Sequence, residues 1–354
     1  MALRSLFYSL PLLVSLMSAA AATTSPIDHG PFPADLNGSN FTYPWPVKLY
    51  RLTSQGQALE TAFMDVPPTE HPRQFGNVNG KKKTKTAVLL HGKNFCGATW
   101  RETAEQLSGN GYRVIVPDQV GFCKSSKPAG YQFSLQQLAL NTRELLETLS
   151  VFQDGGDITV IGHSIGGMLA ARYGLMYPSD TVGVVLVNPI GLEDWKALGV
   201  PYQSIDASYV TERASSYASI RGYEQATYYV GTWAPAYDAW VKMLVNIYQG
   251  SRGEAFARNQ ALVLDMVLTQ PVVYELGLLK PRTLFVVGEK DNTAIGKQWS
   301  PAEVQAKLGH YDVLGKQAAA VIPNCTLAAF PELGHAPQIQ DPGRFHKALL
   351  AWLK

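Results

Sequence analysis

The run Ile158-Thr159-Val160-Ile161-Gly162-His163-Ser164-Ile165-Gly166-Gly167-Met168-Leu169-Ala170-Ala171-Arg172-Tyr173 divides into three parts. Its β-branched opening reads as a buried strand, and its close, rich in Leu, Met and Ala, as a helix. Between them stands G-x-S-x-G, which carries meaning only in that strand-to-helix context. The spacing predicts a sharp turn with Ser164 at its tip. A side chain on Gly162 or Gly166 would collide with the neighbouring strand and helix, so glycine is needed at both positions. Such a turn lifts the hydroxyl into solvent at the carboxyl end of a sheet. It also aims the first amides of the helix at whatever bonds to the serine, which is the geometry of a nucleophile.

Strand and helix signals alternate on either side of this turn. Upstream, Ala87–Leu90 and Tyr112–Val116 read as strands, Thr99–Ser108 and Ser134–Leu149 as helices; Val47–Tyr50 and Ala58–Val66 read as an antiparallel pair before them. Downstream come strands at Val182–Val187, Thr283–Val287 and Thr326–Phe330, and a closing helix at Arg344–Leu353. Apolar runs without strict alternation fit strands covered on both faces. The alternation predicts an α/β fold with a mostly parallel twisted sheet and helices on both faces. It is interrupted over 191–280, a stretch with no strong strand, many aromatics and helical patterns near 238–248 and 253–268. The domain reading is therefore a core at 47–190 and 281–354, with 191–280 as a helical cap inserted over the sheet.

Serine is a weak nucleophile unless a base takes its proton, usually a histidine oriented by a carboxylate. Of the seven histidines, His335 stands out in Gly334-His335-Ala336-Pro337, a loop following the last predicted strand. Asp291, in Gly288-Glu289-Lys290-Asp291, follows the strand before it; Glu193 and Asp194, after Val182–Val187, compete for the same role. Parallel strands bring their carboxyl ends to one edge, where such sheets hold ligands. An oxyanion also needs donors. The loop His91-Gly92-Lys93-Asn94-Phe95 offers the amide of Lys93 or of Asn94, and Ile165 at the helix start offers a second. His91 is expected to brace that loop, and Trp100 to pack behind it. His163 is read as structural, its ring turned away from Ser164. Most of the aromatics in 191–280 are expected to be packing, with some facing the cavity beneath; the substrate-binding residues stay unassigned.

Taken together, these motifs resemble the α/β-hydrolase family, in its cap-bearing, serine-nucleophile branch. The resemblance covers roughly residues 45–354. It rests on His91-Gly92 at a strand end, the D-x-x-G loop Asp118-Gln119-Val120-Gly121, the serine turn, the G-E-x-D acid and the G-H-x-P histidine. Cys123 stands where this loop often has glycine, a departure expected to act locally. The resemblance implies an acyl-enzyme mechanism: Ser164 attacks, His335 takes its proton and Asp291 steadies the imidazolium. It points to a carboxylic ester hydrolase acting on an ester or lactone of a mostly apolar small molecule. Carbon–carbon bond hydrolysis or a tailoring step on a secondary metabolite is the alternative within the same chemistry, and a non-catalytic ligand-binding homologue the alternative outside it. The relatives that use aspartate at this turn, epoxide hydrolases and haloalkane dehalogenases, are excluded by Ser164.

Composition limits the remaining classes. A chain of 354 residues with 46% hydrophobic and 16% charged residues can build a large core, and a net charge of +2 gives no ground for a nucleic-acid partner. The basic cluster Lys81, Lys82, Lys83 and Lys85 beside Asn77-Val78-Asn79-Gly80 reads as a solvated hairpin. No zinc-type spacing or phosphate-binding glycine loop occurs, so no metal and no cofactor are expected. Arg4, the apolar stretch from Leu6 to Met17 and Ala19–Ala22 read as a secretory signal over residues 1–22, followed by an extended arm over 23–46. No membrane span is expected once the signal is removed, and the product would be secreted, or periplasmic in a Gram-negative host. Sequons at Asn37, Asn40 and Asn324 would then be glycosylation acceptors in a suitable host. Three cysteines are too few for a disulfide scaffold. Cys96 and Cys123 fall in loops on the same sheet edge as Ser164, so a bridge between them stands as one reading and idle thiols as the other.

Overall fold

In the computed structural model the described residues are 27–28, 39–69, 77–78, 81–82, 85–153 and 156–354. The expected signal segment 1–22, Asn37 and Lys83 lie outside them. Nine strands form one sheet: β1 (Ile27–Asp28), β2 (Val47–Ser54), β3 (Gln57–Val66), β6 (Thr86–Leu90), β7 (Arg113–Pro117), β8 (Ile158–His163), β9 (Thr181–Val187), β10 (Arg282–Gly288) and β11 (Cys325–Phe330). Their order is β1-β2-β3-β7-β6-β8-β9-β10-β11. The first three strands are antiparallel to their neighbours and the rest run parallel. This is the α/β-hydrolase fold that the motif order implied. A separate short ladder pairs β4 (Asn77–Val78) with β5 (Lys81–Lys82), the hairpin expected at the lysine cluster.

The central strands explain why the sheet is so readable. Every residue of β6 and of β8 is buried, so both faces demand apolar side chains. The edge strand β11 is largely open to solvent. Helices α1 (Arg101–Gly109), α2 (Leu135–Thr148), α3 (Ile165–Met176), α8 (Ala302–Gln305), α9 (Tyr311–Val321), α10 (Pro337–Gln340) and α11 (Pro342–Leu353) belong to the core. Ser134 caps α2 by accepting from the amide of Gln137. Helix α3 is wrapped by α2, β8 and β9, and all residues from Ile165 to Gly174 are buried. A helix packed on every side loses the polar face that would otherwise mark its period.

Between β9 and β10 the chain forms α4 (Ile205–Arg213), α5 (Tyr217–Thr227), α6 (Asp238–Gln249) and α7 (Gly253–Thr269). The two longer helices match the sequence expectation. The earlier pair was not anticipated, because both are more polar than the two later helices; what starts them is capping. Ser204 accepts from Ala207, and Ser216 with Ser219 closes a reciprocal capping box. No described helix is long and apolar enough to cross a membrane.

A disulfide joins Cys96 and Cys123, which decides between the two cysteine readings. Cys123 has φ of +43°, a backbone region that favours glycine, in keeping with the glycine often found there. Asp118 fixes both loops from one carboxylate: Gly97 N donates to Oδ1 at 2.7 Å, Tyr43 Oη to Oδ2 at 2.6 Å and Lys124 N to Oδ2 at 3.0 Å.

Candidate active site

Ser164 lies between β8 and α3 with φ of +58° and ψ of −120°, a strained backbone for a residue with a side chain. The glycines around it leave room for that bend. A Cβ on Gly162 would stand 1.9 Å from the carbonyl of Gly166, and one on Gly166 2.2 Å from the carbonyl of Leu90. The serine side chain caps no helical amide, so helix capping does not account for its presence. Because α3 opens at Ile165, the amide of that residue is one of the donors that no helical carbonyl reaches.

The candidate donor loop is a turn closed by Phe95 N bonding to Gly92 O at 3.2 Å. Such a turn leaves the amides of its two central residues, Lys93 and Asn94, unused across it. Both residues line the same cavity as Ser164 and Ile165. His91 anchors the turn, as expected. Its Nε2 accepts from the amide of Gln119 at 3.1 Å, so the proton sits on Nδ1 and is donated to Gly92 O at 2.9 Å. Burial lowers its pKa and keeps it neutral. Trp100 is buried directly after the Cys96 loop.

His335 and Asp291 meet at the ends of adjacent strands. His335 Nδ1 donates to Asp291 Oδ2 at 2.6 Å, and both side chains are completely buried. In the neutral imidazole this leaves Nε2 as the lone-pair nitrogen. Among the described residues Nε2 has no hydrogen-bond partner, the Ser164 hydroxyl included. Asp291 is held from two further directions: Thr293 N donates to Oδ1 at 2.8 Å, and Asn188 Nδ2 donates to Oδ2 at 2.9 Å. Asn188, just past β9, also accepts from Gly288 N at 2.9 Å, so one side chain ties the acid to its own strand end. The competing carboxylates go elsewhere. Glu193 accepts from Gly309 N and Trp195 Nε1, with its pKa raised by burial, and Asp194 pairs with Lys196 and Tyr274.

His163 is structural but does not turn away from the site. Its Nε2 meets the carbonyl of His335 at 2.8 Å, and the two rings lie 4.8 Å apart. Burial first, and the neighbouring His335 second, push its pKa well below the ordinary histidine value. It therefore stays neutral and supports His335 from behind.

The cavity in front of Ser164 measures about 590 Å³. Its walls are mostly apolar, with Ile165 and Ile190 from the core, Ile220, Leu244 and Val267 from the insertion, and Ile295 from the loop after Asp291. Tyr223, Tyr228 and Tyr248 join them, while Tyr229 and Tyr237 stack on each other at 3.8 Å, away from it. The aromatics thus divide as expected between lining and packing. A half-buried ion pair marks the wall: Lys93 Nζ lies 2.7 Å from Glu212 Oε1 on α4, and Glu212 also accepts from Tyr248 Oη.

A family model described as Alpha/beta hydrolase family matches residues 87–348, well over half of the chain. The chain belongs to that family. As an α/β-hydrolase it is similar to a probable hydrolytic enzyme from Pseudomonas aeruginosa PAO1, at 54% identity, covering 91% of this chain and 99% of that one with a TM-score of 0.84. A putative carbamate hydrolase of Pantoea ananatis is 26% identical over 76% of this chain and 88% of its own length. Lipase 1 of Psychrobacter immobilis is 32% identical over 35% of this chain, a match that spans 36% of that enzyme. The hydrolase fold extends to a thermophilic esterase from Thermogutta terrifontis, at 20% identity, 86% and 97% coverage and a TM-score of 0.60.

Three residues of this hydrolase site escaped the sequence reading: Asn188, Glu212 and Tyr228. Asn188 was findable, since it directly follows a core strand at the sheet edge that carries the other groups. Glu212 and Tyr228 lie on helices whose path back to the serine turn no local pattern announces.

Proposed function

We propose that this α/β-hydrolase cleaves a carboxylic ester or lactone of a mostly apolar small molecule through an acyl-enzyme. The observation that carries the reading is the buried His335–Asp291 pair beside a strained serine turn that faces an apolar cavity of about 590 Å³. Ser164 Oγ bonds to the carbonyl carbon while its proton passes to His335 Nε2. The imidazolium, steadied by Asp291, returns that proton to the departing alkoxide. Water then repeats the sequence to release the acid and regenerate the serine. The amide of Ile165, with that of Lys93 or Asn94, receives the developing negative oxygen. The hydrogen bond from Ser164 to His335 is of the kind that tightens only with substrate in place. The helices of 191–280 serve as the cap, and the cavity beneath them suits an apolar group of moderate size. Secretion, inferred from the N-terminal segment, agrees with a disulfide in the core. Asn40 and Asn324 are exposed, as glycosylation of a secreted chain requires.

The test is fluorophosphonate labelling of the purified protein with a Ser164→Ala control, followed by short and medium nitrophenyl esters across pH. Labelling at Ser164 with ester turnover that is lost at acid pH, where the general base is protonated, is expected. Labelling without turnover of any ester would redirect the reading to carbon–carbon bond cleavage. A folded protein that does not label would defeat it in favour of ligand binding.

A further inference from the structure

One residue of the insertion touches both the proposed base and the oxyanion turn. Tyr228 ends α5, and three independent contacts tie it to the machinery proposed above, on which this inference rests. Its ring lies 4.6 Å from that of His335, tilted by 36°, so the imidazole packs nearer to the face of the phenol than to its edge. Its hydroxyl accepts from Asn94 Nδ2 at 3.1 Å, on the turn whose amides face the cavity. Its backbone carbonyl abuts the loop immediately before His335: a Cβ on Gly334 would stand 2.4 Å from it. The glycine of the G-H-x-P motif is therefore required by a residue of the insertion, a hundred positions upstream.

We propose that Tyr228 is a positioning residue for catalysis, setting the imidazole of His335 and the oxyanion turn in register with each other. The two central residues of that turn are both tethered to the insertion by their side chains, Asn94 to Tyr228 and Lys93 to Glu212 at 2.7 Å, while their amides stay free to receive the oxyanion. The phenol ring also offers its π-face to the imidazolium formed as Ser164 is deprotonated, a favourable arrangement for a cation within about 6 Å of a ring centroid. Burial raises the pKa of Tyr228 well above the ordinary phenol value, so the hydroxyl keeps its proton. The insertion is on this account part of the catalytic apparatus as well as the wall of the substrate cavity.

The experiment follows the rate constant of fluorophosphonate labelling at Ser164, which requires no knowledge of the natural ester, for wild type, Tyr228→Phe, Asn94→Ala, their double variant and Tyr228→Leu. Asn94→Ala keeps the backbone amide. Loss of the shared hydrogen bond should slow labelling by about three- to tenfold in Tyr228→Phe and in Asn94→Ala, and the double variant should be no slower than either alone. Tyr228→Leu keeps the burial but not the π-face, so the acidic limb of its rate–pH profile should move to lower pH by about half a unit, while that of Tyr228→Phe stays in place. The other titratable groups against the imidazole, Asp291 and His163, are untouched in these variants. Wild type that labels normally, with Tyr228→Phe equally fast or with the two losses multiplying in the double variant, overturns the role of Tyr228 and leaves the hydrolase reading standing. Wild type that does not label overturns both. Should Tyr228→Leu not fold, the cycle between Tyr228→Phe and Asn94→Ala still decides.

Discussion

Glu224 sits inside the insertion, on α5, fully buried and with neither carboxylate oxygen hydrogen-bonded. Desolvation raises its pKa from 4.5 to about 8, so the folded protein holds it neutral at pH 7 while the unfolded chain ionises it. A raised carboxyl pKa works against folding: the cost is absent below the unfolded value, grows as pH climbs from 4.5, and levels off above about 8. At pH 7 the unfolded carboxyl lies about two and a half units past its midpoint, equivalent to roughly 3 kcal/mol at about 1.36 kcal/mol per unit. At pH 5 the same reckoning leaves under about 1 kcal/mol. Glu224→Gln keeps the shape and removes the titration. Its urea unfolding free energy relative to wild type should therefore rise by about 2.5 kcal/mol between pH 5 and pH 7. Every other titrating group cancels in that difference. Parallel stability–pH curves for the two proteins would refute the argument and mean that the carboxyl is ionised in the fold, with a partner or water beside it.

Two further outcomes follow from contacts at the site. Asn188→Ala removes a hydrogen bond to the Asp291 carboxylate; a bond to a charged group contributes about 1.5–3 kcal/mol, so kcat/KM for a nitrophenyl ester should fall by roughly ten- to a hundredfold, and an unchanged value would show that Thr293 and His335 hold the acid unaided. Replacing Cys96 and Cys123 together by serine opens a link across 27 residues and should cost about 3–4 kcal/mol in urea unfolding on the chain-entropy account. An unaltered midpoint would mean that Asp118 and the surrounding core keep these loops closed by themselves.

Much of this protein is legible from its residues alone because the relevant forces are local. The strands β6, β8, β9 and β10 are short, buried on both faces and β-branched, so composition betrays them without any partner being known. Ser164 and Asp291 each follow such a strand and His335 follows the solvent-exposed edge strand β11; a parallel sheet collects those ends at one edge whatever the details of packing. The turn at Ser164 is readable for the same reason: Gly162 and Gly166 answer to clashes within a few residues or with the adjacent strand.

What only the tertiary structure decided lies where distant segments meet. The choice of Asp291 over Glu193 and Asp194 rests on which carboxylate the register of β9 and β10 brings to His335, and the motif spacing left that open. Asn188 acquires its role from the same register, because its amide bonds to Val286 O and its side chain then spans to Asp291. The pairing of Cys96 with Cys123 depends on two loops converging over Asp118. Glu212 and Glu224 sit on the two more polar helices of the insertion and Tyr228 directly after the second, and their return to the serine turn is set by packing across the whole insertion. A single residue there carries no local mark of what it will touch, since burial of a polar group and the face an aromatic ring presents are properties of the assembled fold.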